Sequence, residues 1–265
     1  MSTHTGKGCG APTPQADLWS MEEALGILLS HARAVPEIEE APTLSCLGRV
    51  LAEAIVSPAS VPPWDNSAMD GYAVRVADLV PHEGRLRVGQ RIPAGKAAKP
   101  LEPGTAARIF TGAPIPDGAD AVVIQEDCER EGDWVRTPLT VRPGANIRRA
   151  GEDIARNAEV IGAGTRLRPQ HLGLAASVGA AQLRVHRRVR VAIFSTGDEL
   201  VTPGHPLGPG QIYNSNRFTL HGLLGALGCD LTDLGIVEDT PEATESALAR
   251  GADQADLLIA SGGVS

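Results

Sequence analysis

The chain has 265 residues and a formal charge of −8, with 24 Lys and Arg against 32 Asp and Glu. That balance, with no dense Lys/Arg run, argues against nucleic acid or an anionic membrane as the main partner, and no apolar stretch approaches bilayer length. Length allows roughly two domains, and 3% aromatics with 30 Gly and 20 Pro require cores of Ala, Val, Leu and Ile between many sharp turns.

Residues 1–17 carry Gly, Thr and Pro without an apolar core and read as a loose tail rather than a signal peptide. Cys9, Cys46, Cys128 and Cys229 are scattered, with no CxxC and no His at ligand spacing. Reduced thiols in a cytoplasmic protein fit better than zinc or a disulfide framework. Ser20 opens a capping box with Glu23, and Ala24, Leu25, Leu28, Leu29 and Ala32 follow on one helical face until Pro36. A second helix is expected from Ser45 through Leu47, Val50 and Leu51, leading to Ile55 and Val56.

The stretch PPWDNSAMDGYAV, residues 62–74, then gathers more oxygen-bearing side chains than one turn needs: Asp65, Asn66, Ser67 and Asp70, closed by Gly71. Such a loop either bonds its own backbone or presents a site, and its residues alone leave both readings open. From Met69 to about Ile147 short strands alternate with Gly and Pro, the pattern of a small β-rich sandwich or barrel. Within it RIFTGAPIPDG ends a strand in a Thr-Gly turn, so Thr111 is a turn hydroxyl or a site group. In NIRRAGEDI, Asp153 is a helix cap, a solvated carboxylate or a functional one.

A helix opened by Pro169 closes near Gly179, with Leu172, Leu174, Ala175 and Val178 available for burial. Helices on both sides of the strand block suggest a helical arm built from residues 18–58 and 147–186, with a β-rich domain inserted at 59–146. Residues 187–265 read as an α/β unit. VRVAIF is an unbroken apolar run typical of a doubly covered strand. A helix from Ser215 or Asn216 to Gly228, a strand over 230–237, a helix opened by Pro241 and a strand over 256–260 complete a parallel sheet. The carboxyl ends of its strands share one edge, where open α/β sheets bind ligands. STGDE, the Glu238–Asp239 pair and SGG should therefore meet, offering hydroxyls, glycine amides and helix amino termini suited to phosphate. Neither GxxxxGK[ST] nor GxGxxG is present.

Taken together, DNSAMDGYAV, RIFTGAPIPDGADAVVIQED, RRAGEDI, VAIFSTGDEL, GQIYNSN and LIASGGVS, in that order, closely resemble the molybdopterin molybdenumtransferase family, MoeA, whose eukaryotic relatives include the gephyrin E domain. The resemblance runs from about Leu18 to Ser265. It implies a multidomain α/β plus β fold: an elongated arm, an inserted β-rich domain and a three-layer α/β domain. It also implies insertion of molybdate into adenylylated molybdopterin with release of AMP, in cytoplasmic molybdenum cofactor synthesis. By motif match Asp70, Thr111, Asp153, Glu199 and Asp239 take catalytic positions. Ser195, Thr196, Gly197, Asp198, Asn214, Ser261, Gly262 and Gly263 take positions that bind the pterin and its phosphate. The family is a homodimer with its site shared between subunits, which would bring Asp70 and Thr111 to the partner's Asp198, Glu199 and Asp239. A pterin-adenylylating enzyme is a candidate further partner.

The chemistry is consistent with a metal. The substrates are anions and the implied site is rich in carboxylates, so Mg²⁺ is expected to intervene, with Asp70 and Asp239 the charge-bearing candidates. Family members continue past the position of Ser265, so the α/β unit is expected to be incomplete there and the strand over 256–260 incompletely covered. That leaves a second reading, a non-catalytic pterin-binding or dimerisation module.

Overall fold

The computed structural model describes residues 19–262, and the chain divides into two units, Met1–Pro36 and Glu37–Ser265. The tail expected over 1–17 and Gly263 lie outside the described residues. In the first unit, α1 (Met21–His31) begins at the capping box read from sequence. The Glu23 N–H donates to Ser20 Oγ at 3.2 Å, and the Ser20 N–H donates to Glu23 Oε2 at 2.9 Å. Two helix-end donors are thus satisfied reciprocally.

The second unit opens with β1 (Ile38–Pro42), antiparallel to residues 182–186. Where the apolar spacing predicts a second α-helix, there is only a 3₁₀ turn at Thr43–Ser45. Gly48 sits at φ +78°, outside the right-handed helical region. Distant segments take the backbone donors instead: Leu51 N–H bonds Thr165 O at 2.9 Å and Ala52 N–H bonds Arg184 O at 2.8 Å. Leu51 still reaches a core, packing with Cys46, Leu167, Ala175, Leu183 and Val185. Two short strands follow, β2 (Ile55–Val56) and β3 (Asn66–Ser67).

Next come β4 (Gly71–Val74), β5 (Arg85–Ile92), β6 (Thr105–Ile109), β7 (Ala121–Ile124), β8 (Glu129–Glu131) and β9 (Trp134–Arg136). They form one six-stranded sheet in the order β7-β4-β6-β5-β9-β8. Its neighbours are antiparallel except β5 and β6, which run parallel. Alternate residues of β4 enter opposite cores, Tyr72 and Val74 with Leu79, Leu86 and Val135, and Ala73 with Ile92, Ile109 and Val122. Period-two burial on both faces explains why this strand is apolar throughout.

After it, β10 (Ile147–Arg148) returns to pair with β3, and β11 (Glu159–Ile161) pairs with β2. The chain continues through α2 (Pro169–Ser177) into β12 (Gln182–His186), the partner of β1. The two flanks that the sequence suggested would form a helical arm therefore meet mainly through strands. Leu183 and Val185 alternate inward along β12 at period two, which commits that segment to a sheet rather than a helix.

The last part holds β13 (Arg190–Thr196), β14 (Leu200–Val201), β15 (Ile212–Tyr213), α3 (Ser215–Leu227), β16 (Asp230–Val237), α4 (Pro241–Gln254) and β17 (Leu257–Ser261). Strands β16, β13 and β17 lie in that order, all parallel. One face of β13 packs Val191 and Ile193 against Leu220 and Leu224 of α3, and the other packs Phe194 with Ala243 and Ala247 of α4. The sheet is thus covered by a helix on each face, and β13 needs the unbroken apolar run it has. Among the described residues no helix is long and apolar enough to cross a membrane.

Candidate functional site

Strand direction alone brings the three carboxyl ends together, and the contacts follow. Thr196 at the end of β13 donates its hydroxyl to Asp239 Oδ1 at 3.1 Å, just beyond β16. Gly262, beyond β17, lies so close to β13 that an added Cβ would sit 2.2 Å from the Thr196 carbonyl oxygen, and its φ is +107°. Only glycine fits that conformation and that approach. Ser261 Oγ accepts from Asn216 Nδ2 at 3.1 Å, tying β17 to the first turn of α3. An open cleft of about 620 Å³ runs along this edge, lined among others by Phe194, Thr196, Asp239, Thr240 and Gly262.

Ser195 and Thr196 are buried at the strand end, while Asp198 and Glu199 emerge from it exposed. Gly197 has φ +149°, and the Glu199 carboxylate folds back over it, 2.7 Å from where a Cβ would stand. Asn214 caps α3: its Oδ1 accepts from Arg217 N–H at 3.2 Å. Its side chain is 2% exposed, and its Nδ2 has no partner among the described residues. A buried amide donor left open in this way suits the acceptor of a bound molecule.

A second cluster sits on the six-stranded sheet. Register places Gly71 opposite Ile109, so Asp70 and Thr111, just past these strand ends, meet across 41 residues of chain. Asp70 Oδ1 accepts both the Thr111 N–H and the Thr111 hydroxyl, each at 2.8 Å. These donors hold the Asp70 carboxyl below the usual carboxylate range, the backbone N–H contributing most and the nearby Arg108 charge least. Thr111 is therefore more than a turn hydroxyl, since it fixes the orientation of a carboxylate and leaves Oδ2 clear.

Asp65 of the same loop takes the Ala150 N–H at 2.8 Å and Arg149 Nη1 at 2.5 Å, latching it to the RRAGED segment. Ser67, by contrast, bonds its own loop through Oγ to Met69 O at 2.6 Å. Asp153 receives Arg148 Nη2 on both oxygens, at 2.5 and 2.6 Å. It is a paired carboxylate rather than a helix cap. Arg148 binds Asp153 directly, Arg108 acts on Asp70 only through its charge, and both escaped the sequence reading. Each lies within a few residues of a singled-out acid or hydroxyl, which is the signal that could have found it.

The expected residues thus form two groups, Asp70 with Thr111, and Thr196, Glu199, Asp239, Ser261 and Gly262 around the parallel sheet edge, while Asp153 is held apart by Arg148. Among the described residues no hydrogen bond joins Asp70 or Thr111 to Asp198, Glu199 or Asp239 within the chain. Nor do any three or more His, Cys, Asp or Glu side chains cluster to hold a metal.

Fold and site together define a mixed α/β protein with polar groups gathered at a parallel-sheet edge, joined to a six-stranded β-sheet that carries a fixed carboxylate. Residues 19–179 match the family model described as the MoeA N-terminal region, domains I and II, and residues 192–265 match a probable molybdopterin binding domain. The chain belongs to the MoeA family. It is 42% identical to the molybdopterin molybdenumtransferase of Haemophilus influenzae over 93% of its own length, and 43% identical to molybdopterin molybdenumtransferase 2 of Mycobacterium tuberculosis over 89%. It spans 61% of the length of each of these relatives. The crystal structure of a molybdopterin biosynthesis MoeA protein from Pyrococcus horikoshii superposes with a TM-score of 0.83 at 33% identity, covering 92% of this chain and 66% of that one.

Proposed function

We propose that the chain acts in molybdenum cofactor biosynthesis, inserting molybdate into adenylylated molybdopterin with release of AMP. The single observation carrying this reading is the convergence of Thr196, Asp239, Ser261 and Gly262 on one sheet edge in a chain of this family. The names borne by its relatives favour a transferase over a non-catalytic module. In this reading Ser195–Gly197, Asp198, Asn214 and Ser261–Gly263 hold the pterin and its phosphate, with the open Nδ2 of Asn214 available as a donor. Thr196 fixes Asp239, Thr111 fixes Asp70, and Arg148 fixes Asp153, so each carboxylate is aimed before substrate arrives. Glu199 stands exposed beside Gly197, where it can orient water or molybdate.

Mg²⁺ fits this donor set: Asp70 and Asp239 each keep an oxygen not engaged by its threonine, and Mg²⁺ is typically held by one or two carboxylates with waters and substrate phosphates. When bound, it neutralises phosphate charge and polarises the bond that breaks. The absence of an intrachain link between Asp70 and Asp239 suits a site completed across a homodimer. The domain layout belongs to the same reading: an arm from 18–58 and 147–186, an inserted β-rich domain at 59–146, and an α/β domain from 187 onward. A pterin-adenylylating enzyme would supply the substrate, in the cytoplasm.

The test is a purified assay with adenylylated molybdopterin, molybdate and Mg²⁺. Asp70→Ala should abolish molybdate insertion and leave pterin binding largely intact. Equal insertion by variant and parent would remove Asp70 from the mechanism, and a monomer in sedimentation would remove the shared site.

A further inference from the structure

Strands β5 and β6 run parallel in a register that sets Arg91 directly opposite Arg108. Like charges so placed repel one another. Among the described residues neither guanidinium has a carboxylate at ion-pair distance. Both instead lie over the Phe110 ring, with Cζ 4.4 Å from its centroid for Arg91 and 4.6 Å for Arg108. Arg108 Cζ also lies over the Tyr72 ring, 5.2 Å from its centroid. Two of its nitrogens are tied to neutral acceptors: Nη1 to Gly71 O at 2.8 Å and Nη2 to Gln125 Oε1 at 2.5 Å. These bonds orient the guanidinium without cancelling its charge.

The negative groups near it are few. Asp70, an ionised carboxylate held by Thr111, feels the Arg108 charge, and Glu126 accepts from Gln125 Nε2 at 3.1 Å, but neither lies at ion-pair distance from Arg108. Two like charges on directly paired residues that share one aromatic ring are stabilised by an anion that bridges them. Guanidinium forks match the oxygen spacing of tetrahedral oxyanions, and cation–π attraction to the Phe110 ring helps to hold each guanidinium in place. We infer that Arg91, Arg108 and Phe110 form a subsite for a tetrahedral oxyanion, phosphate or molybdate, adjoining Asp70 and Thr111. The subsite stands on this geometry, and only the identity of the anion as a group of the reacting substrates rests on the proposed function.

Calorimetric titration of the chain with inorganic pyrophosphate, molybdate and AMP, at low salt, tests it. Arg91 is exposed, so Arg91→Gln should fold as the parent does, checked by circular dichroism, and should bind the preferred anion about ten-fold more weakly. Arg91→Lys should lie between. Arg130→Gln changes net charge equally on β8, two strands from β5, and should bind as the parent does. Preference for molybdate identifies a free oxyanion as occupant; preference for pyrophosphate or AMP identifies a phosphate of the nucleotide. No binding by the parent, or an equal loss in Arg91→Gln and Arg130→Gln, overturns the subsite. Failure of molybdate insertion with the Arg91 effect intact overturns the transferase reading and leaves the subsite standing.

Discussion

The six-stranded sheet and the three-stranded parallel sheet each bring distant polar residues together, by different means. In the parallel sheet the means is direction: strands that run the same way end at the same edge, so Thr196, Asp239 and Ser261 converge without any choice of register. In the six-stranded sheet the means is pairing. Asp70 meets Thr111, and Arg91 meets Arg108, only because Gly71 pairs with Ile109 and β5 pairs parallel with β6. A slip of one residue would turn each side chain to the other face. The first site follows in the first place from strand direction, and the second depends on register throughout.

The sharpest way to break this contrast is Gly71→Ala. A Cβ at that position would lie 2.0 Å from the Val123 carbonyl oxygen, a backbone atom of β7 that cannot move without displacing the strand. Overpacking of this kind should cost about 3 kcal/mol, measured by denaturant unfolding. Hydrogen exchange should show the β4 and β7 amides opening while those of β13 stay protected. Equal loss of protection in both sheets would mean that the two are one cooperative body and that the contrast is only topological.

Asp256→Ala strikes the base of the parallel sheet. Its carboxylate, 24% exposed, binds Arg187 at 2.6 Å and Arg190 at 3.1 Å and takes the Arg190 N–H at 2.9 Å, pinning the start of β17 to β13. Allowing for solvent screening, the variant should lose about 1–2 kcal/mol at neutral pH. Arg187 foremost, then Arg190, holds this carboxyl well below the usual range. A folded-state pKa below the unfolded value of about 3.9 means that the stabilisation is complete above that pH and disappears as pH falls toward the folded value. The gap between parent and variant should therefore narrow only in strong acid.

This difference in means also decides what could be read from the residues. The apolar run of β13, the Asn214 cap, Gly228 at φ +83° closing α3 and Pro241 opening α4 all announce a parallel α/β unit locally, and strand direction then does the rest. The segment after Ser45 misled because Leu47, Val50 and Leu51 fit a helical face, while Gly48 and partners more than a hundred residues away impose an irregular path. Tertiary pairing there overrides local preference. The Asp70–Thr111 bond and the Arg91–Arg108 pair were hidden for the same reason. Each needs a register set by contacts far along the chain; the residues alone marked Asp70 and Thr111 as candidates, and only the resemblance to known motifs favoured a site over a turn.

One substitution made in both regions sharpens the comparison most finely. Thr111→Val removes the hydroxyl from Asp70 and keeps the N–H, the stronger of its two lowering partners. Asp70 should therefore titrate at higher pH than in the parent while remaining below the ordinary carboxylate range, as read by carbon NMR of its carboxyl. Thr196→Val is smaller still. The Thr196 side chain is 6% exposed and donates one bond, at 3.1 Å, to Asp239, which is itself exposed. Valine fills the same volume, and water replaces the lost donor at the carboxylate, so unfolding free energy should change by less than about 1 kcal/mol. Asp239, however, would no longer be aimed. If the strand edge positions groups by direction alone, AMP affinity of Thr196→Val should match the parent's; if it depends on the threonine, affinity should fall with stability unchanged. We expect the fall, because three coincident strand ends place the backbone of a site, and its side chains still need a neighbour to hold them.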